Sequence, residues 1–162
     1  MSGSHLARTG LVLLSLGVFA SPLQAVPASP FLAMAGSWTG GGTLTTSDGM
    51  QERLRCRATY NVAGAGEQLR LSLKCASQSY TFDLAGEIQY QGGAISGAWT
   101  ESNRNASGTI TGRGAGDHVE AAARGNNFSA NLSLTTRGSR QSVSIRPQAS
   151  NVTAVTLALE RR

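Results

Sequence analysis

Between residues 36 and 162 the chain alternates apolar and polar positions almost without pause, in runs of about seven to thirteen residues separated by glycine and asparagine. A period of two marks a strand with one face buried and the other in water. The runs predict strands near 36–46, 50–62, 67–76, 79–91, 94–101, 106–113, 117–124, 127–136, 141–147 and 152–160. The intervening "TSDG", "AGAG", "QGG", "NRNAS", "RGAGD", "RGNN" and "TRGS" supply the residues that tight hairpins need for positive φ. Connections this short cannot carry parallel crossovers, so the sheet is an antiparallel up-and-down meander. With so many short strands the expected fold is all-β, a small barrel of about eight to ten strands, with a two-sheet sandwich as the alternative closure.

The stretch from Arg53 to Cys75 fixes a register. Leu54, Cys56, Ala58, Tyr60 and Val62 share one face of their strand, and Arg53, Arg55, Arg57, Thr59 and Asn61 share the other. On the next strand Leu69, Leu71, Leu73 and Cys75 alternate with Arg70, Ser72 and Lys74. A hairpin turning through residues 63–66 sets Cys56 opposite Cys75, both on apolar faces, and predicts a cross-strand disulfide. A bridge there locks the strands against the one-residue slip that would exchange their faces. The same register sets Arg57 against Lys74 on the outer face. Facing like charges cost stability, so the pair calls for solvent or for a bound anion, which arginine suits by its bidentate geometry. Arg53, Arg55, Arg57, Arg70 and Lys74 are therefore the candidate anion-binding strip.

The inward faces differ along the chain. Aromatic residues collect early, at Trp38, Tyr60, Tyr80, Phe82, Tyr90 and Trp99, while glycine and alanine dominate from Gly108 to Ala130. Such a mixture either packs solidly, large against small, or leaves an apolar cup. The six aromatics are the candidate interior ligand contacts.

Before this region the chain has a different character. His5 and Arg8 precede "LVLLSLGVFA", and "LQA" offers small residues for cleavage after Ala25. Residues 1–25 are therefore expected to be an export signal, 26–35 a linker and 36–162 the barrel domain. Removing the signal leaves thirteen basic against nine acidic side chains, a formal charge of +4. That balance favours anionic partners in general and names none. Two cysteines in an exported chain fit one disulfide. Together with His118 as the one histidine left after cleavage, they make no zinc set. No apolar run after residue 25 reaches the length of a membrane-spanning helix.

Gly36-Ser37-Trp38, at the head of the first strand of an antiparallel meander, resembles the G-x-W pattern of lipocalins and the wider calycins, avidins included. The resemblance implies an up-and-down barrel that holds a small apolar ligand, with Trp38 plugging one end. It also implies a late arginine stacked on that tryptophan, for which Arg146 and Arg161 are the candidates. The turn motif that lipocalins add is missing.

Catalytic signatures are missing as well. His118 in "GAGDHVE" has no serine or cysteine in a nucleophile context. Asp83 and Glu87 fall on the outer face of their strand and do not converge as a glycosidase pair. No phosphate loop, H-E-x-x-H or EF-hand pattern occurs, so no cofactor or metal is expected. The expectation is an exported, non-catalytic barrel with a small apolar or amphipathic ligand. Two alternatives are an envelope protein touching anionic glycan, lipid or a protein partner through its basic face, and a protease inhibitor presenting residues 26–31. Neither nucleic acid binding nor membrane spanning is expected.

Overall fold

The computed structural model describes Ser21 and residues 23–162. The expected export segment lies almost wholly outside the described residues. One helical turn, α1 (Phe31–Met34), precedes ten strands: β1 (Gly36–Thr46), β2 (Gln51–Ala63), β3 (Gln68–Ala76), β4 (Thr81–Gln91), β5 (Ala94–Glu101), β6 (Ala106–Ala115), β7 (His118–Gly125), β8 (Phe128–Arg137), β9 (Arg140–Gln148) and β10 (Val152–Arg161). Each strand starts and ends within two residues of its expected bounds.

Each strand pairs antiparallel with its successor, and β1 pairs with β10 to close the barrel, Trp38 opposite Arg161 and Leu44 opposite Val155. Closure gives every strand two neighbours and removes the sheet edges a sandwich would keep. Cys56 faces Cys75 as expected and is bonded to it, the Cα atoms 4.1 Å apart and both residues buried. Loop closure across the 19-residue separation puts the bridge's contribution at about 3 kcal/mol.

Bending ten strands into a ring forces some inward positions against the neighbouring backbone. At Gly42 a Cβ would lie 1.7 Å from the Thr156 carbonyl oxygen, and at Gly108 one would lie 1.8 Å from that of Arg124. Only glycine fits where the backbone of one strand leans this far onto the next.

The hairpins β2–β3, β4–β5, β6–β7 and β8–β9 gather at one end of the barrel, together with the start of β1 and the end of β10. Residues 26–35, expected as a linker, instead form a plug across this end. Ser29, Pro30, Phe31 and Met34 are buried. Ser29 Oγ donates to Gly66 O at 2.5 Å, Gly116 N donates to Ala28 O at 3.2 Å, and Tyr90 OH donates to Pro27 O at 2.9 Å. The Phe31 ring meets Tyr90 edge-on at 6.0 Å. Of residues 26–31, the segment a protease inhibitor would present, Val26 to Ala28 are exposed and Ser29 to Phe31 are buried.

Trp38 lies directly beneath the plug. It is fully buried, its Nε1 donates to Met34 O at 2.7 Å, and the Arg161 guanidinium stacks on its ring at 4.5 Å. Arg161 also donates to the carbonyls of Ala33 and Ala35, so the last strand clamps the helical turn through the tryptophan. Of the two arginines proposed from the sequence, Arg161 fills the role. Arg146 sits on the outer face of β9, opposite Asn131.

Candidate functional site

The wall made by β1, β2, β3 and β10 is filled. Leu44, Leu54, Leu69, Leu157 and Leu159 are all buried. The opposite wall is not. Ile110, Ala121, Leu132, Leu134 and Ile145 occupy inward positions in the middle of β6 to β9, yet each is only half-buried. Their side chains face the axis, and those of Ile110, Leu134 and Ile145 pack against the buried cluster. The cause is compositional: Gly108, Gly112, Ala121, Ala123 and Ala130 contribute almost no side-chain volume to this wall. The inner face of this wall is apolar and lightly packed against the core.

The two ends of the barrel differ. Under the plug, Tyr60 OH donates to Gln141 Oε1 at 2.7 Å and Gln141 Nε2 donates to Thr136 Oγ1 at 3.0 Å, a buried polar chain that satisfies itself. Burial pushes the Tyr60 hydroxyl far above the ordinary tyrosine range, which keeps it a neutral donor. Among the described residues, no buried side-chain nitrogen or oxygen lacks a partner. The barrel interior therefore presents hydrocarbon, with no unpaired polar side-chain atom among the described residues.

At the other end, formed by the turns β1–β2, β3–β4, β5–β6, β7–β8 and β9–β10, aromatic residues rim the mouth. Tyr80 and Phe82 stack with ring centroids 6.4 Å apart, and Arg104 lies over Phe82 at 4.9 Å. Asn151 Nδ2 donates to Tyr80 OH at 3.0 Å, which draws the β3–β4 turn across part of the opening toward β9–β10. Trp99 meets Phe128 edge-on at 5.5 Å.

Two carboxylates hold this rim. Glu52 Oε2 accepts from Ser77 Oγ at 2.6 Å and Ser79 N at 3.0 Å, which lowers its pKa. Glu101, 5% exposed, ends β5 at an inward position. Its Oε1 accepts from Asp83 N at 3.0 Å and Asn103 N at 3.2 Å, and its Oε2 accepts from Arg104 N at 2.9 Å and Arg104 Nη1 at 3.3 Å. Burial alone would raise the Glu101 pKa, but these donors outweigh it and hold the carboxyl below its usual 4.5.

A carboxylate whose pKa is lowered by folding stabilises the fold fully above its unfolded value, and that contribution is lost as pH falls through the folded value. Glu101→Gln is therefore expected to destabilise the barrel at pH 6 and to differ progressively less from the parent below about pH 4.5. Urea unfolding at pH 6 and pH 3 checks this. A gap of the same size at both values contradicts it.

The structure divides the six aromatic candidates between the two ends. Trp38, Tyr60 and Tyr90 are sealed in the plugged end, each hydrogen-bonded to the protein. Tyr80, Phe82 and Trp99 stand at the mouth. The half-buried aliphatic residues of β6 to β9 and the anchoring role of Glu101 escaped sequence reasoning. The signal for Glu101 was present: an acid at inward parity immediately before an asparagine-rich turn.

The five basic candidates lie along the outer wall as expected, but β4 alters their charge. Arg70 pairs with Glu87 at 3.3 Å and Lys74 with Asp83 at 3.0 Å. Arg53, Arg55 and Arg57 are exposed and have no ion pair among those found in the described residues. His118 lies at the start of β7, its Nδ1 2.9 Å from Thr135 Oγ1 and its Nε2 2.9 Å from Glu120 Oε1. Among the described residues no three histidine, cysteine or acidic side chains gather as a metal would require, and no helix is long and apolar enough to cross a membrane.

No protein-family model matches the chain, and no curated protein matches it. Among solved structures it is similar to Rv2717c from M. tuberculosis, known from a crystal structure, with a TM-score of 0.65 and 12% sequence identity over 80% of this chain and 93% of that one. At that identity the likeness is one of fold, which by itself carries no function. The barrel here closes with ten strands, where lipocalins use eight.

Proposed function

We propose that this protein is an exported, non-catalytic barrel of lipocalin-like shape that holds an apolar or amphipathic small molecule in its lumen. One observation carries the reading: mid-strand apolar residues of β6 to β9 face the axis and are only partly buried, beside the glycine and alanine of the same wall. A lumen wall without unpaired polar atoms suits a hydrocarbon chain or ring system. The plug closes one end, so the ligand enters at the mouth lined by Tyr80, Phe82 and Trp99, and any polar head remains there. The disulfide fits an oxidising compartment such as the bacterial periplasm or the extracellular space.

The test has two parts. Native mass spectrometry of protein purified from its own host, followed by solvent extraction, is expected to reveal a bound apolar molecule. Titration with a fluorescent long-chain fatty acid is expected to saturate at one site, and Leu132→Trp, which fills the lumen, is expected to weaken it at least about tenfold, or about 1.4 kcal/mol. An empty protein from the host, or equal affinity in a folded Leu132→Trp variant, overturns the proposal.

A further inference from the structure

The outer wall of β1 to β3 carries a file of exposed arginines on the face away from the barrel interior. Arg53, Arg55 and Arg57 project from alternate positions of β2, so their Cα atoms stand about 6.6 to 6.8 Å apart in a single file. β1 runs beside them with outward Thr39, Gly41 and Thr43, opposite Arg57, Arg55 and Arg53 respectively, and contributes no acid. On the far side, an open groove of about 240 Å³ is lined by Arg55, Arg57, Lys74 and Ala76, with the disulfide-bonded residues Cys56 and Cys75 at its floor. The acids of β4 reach Arg70 and Lys74 but leave the file itself uncompensated. Glu160, opposite Thr39 on β10, is separated from Arg57 by the whole of β1.

We propose that this file and groove bind an acidic polysaccharide, one bearing sulfate, phosphate or uronate groups. Three guanidinium groups at regular spacing match a linear polymer of repeated anions, each able to accept two parallel hydrogen bonds from one arginine. The adjoining hydroxyl of Thr43 suits the sugar hydroxyls between the charges, while Thr39 Oγ1 already accepts from Arg162 Nε at 3.0 Å. Two competing polyanions fit less well. A nucleic acid strand needs aromatic platforms on which bases stack, and the outward positions of β1 to β3 carry none. A bilayer needs apolar side chains to insert, yet among the described residues the exposed large hydrophobics are Leu23 and Val26 before the helical turn, Leu32 in it and Met50 in the β1–β2 turn, none on the outer wall of β1 to β3.

Binding of heparin and of alginate, measured at low and moderate salt, tests the inference. The variant Arg53→Ser/Arg55→Ser/Arg57→Ser is expected to bind heparin at least about tenfold more weakly than the parent, with a shallower salt dependence. Charge-matched Arg113→Ser/Arg124→Ser/Arg140→Ser is expected to bind nearly as the parent does. Equal loss in both variants means the effect follows net charge alone and overturns the assignment. No loss in the first variant does the same, as does tighter binding to single-stranded DNA or to phosphatidylglycerol vesicles than to either polysaccharide. Fatty-acid binding should be unchanged throughout, which keeps this outcome separate from that of the lumen.

Discussion

Gly42→Ala and Gly108→Ala are each expected to cost about 3 kcal/mol or more, although each adds a single methyl group. Both residues face the barrel interior, where a methyl group would ordinarily add useful burial. The obstacle is the neighbouring strand: the new carbon would lie 1.7 Å from Thr156 O or 1.8 Å from Arg124 O. Those oxygens belong to the ladder that holds the ring closed, so neither can withdraw without loosening β10 or β7 from its partner. For a domain of this length the loss lowers the melting temperature by roughly 10 °C. Thermal and urea unfolding measure it directly. Gly138→Asn is the control, since its left-handed backbone (φ 57°) tolerates asparagine and a Cβ there would meet no atom within 4 Å; it is expected to stay within about 1 kcal/mol of the parent. If the two interior alanines behave like the control, the strands are not as tightly bent as described.

The second large effect is expected at Trp38. Trp38→Ala removes a fully buried indole and leaves a cavity beneath the plug, a loss of about 3 to 5 kcal/mol. It also strips Met34 O of its donor and Arg161 of the ring on which it stacks. Arg161→Ala separates these contributions. It spares the tryptophan but unties the carbonyls of Ala33 and Ala35. The expected outcome is a modest loss of global stability with markedly faster amide exchange confined to the plug, residues 28–35. Uniform acceleration across the barrel, or none in the plug, would show that the arginine does not clamp it.

Much of this architecture was legible in the residues. Alternation located every strand because each has one dry face and one wet face, and the turn glycines marked the breaks. Cys56 and Cys75 supplied a register that the apolar faces independently demanded. The closing contact of β1 with β10 was not legible in the same way: it joins residues more than a hundred positions apart, and no local pattern reports it. The plug was missed for a related reason. Residues 26–35 are interrupted by Pro27 and Pro30 and are too few to show a period, and their apolar side chains find partners only once the barrel end exists.

Inward parity placed Trp38, Tyr60, Tyr80, Phe82, Tyr90 and Trp99 inside together, but parity does not say at which height along the axis a residue sits. Their division between the sealed end and the mouth required the strand ends. The neutralisation of Arg70 and Lys74 depended on the β3–β4 register, which no cysteine pair pinned. The partial burial of the inward face of β6 to β9, finally, depended on the balance of volumes across the two walls, a sum over the whole barrel.

The plug and the last strand have a joint consequence for handling the molecule. Residue 26 and Arg162 leave the barrel at the same end, opposite the aromatic rim. A fluorophore or surface tether attached beside residue 26 or beside Arg162 would thus hang from the plugged base and leave the aromatic rim clear, whereas a label on the turn at Asp48 would stand at that rim.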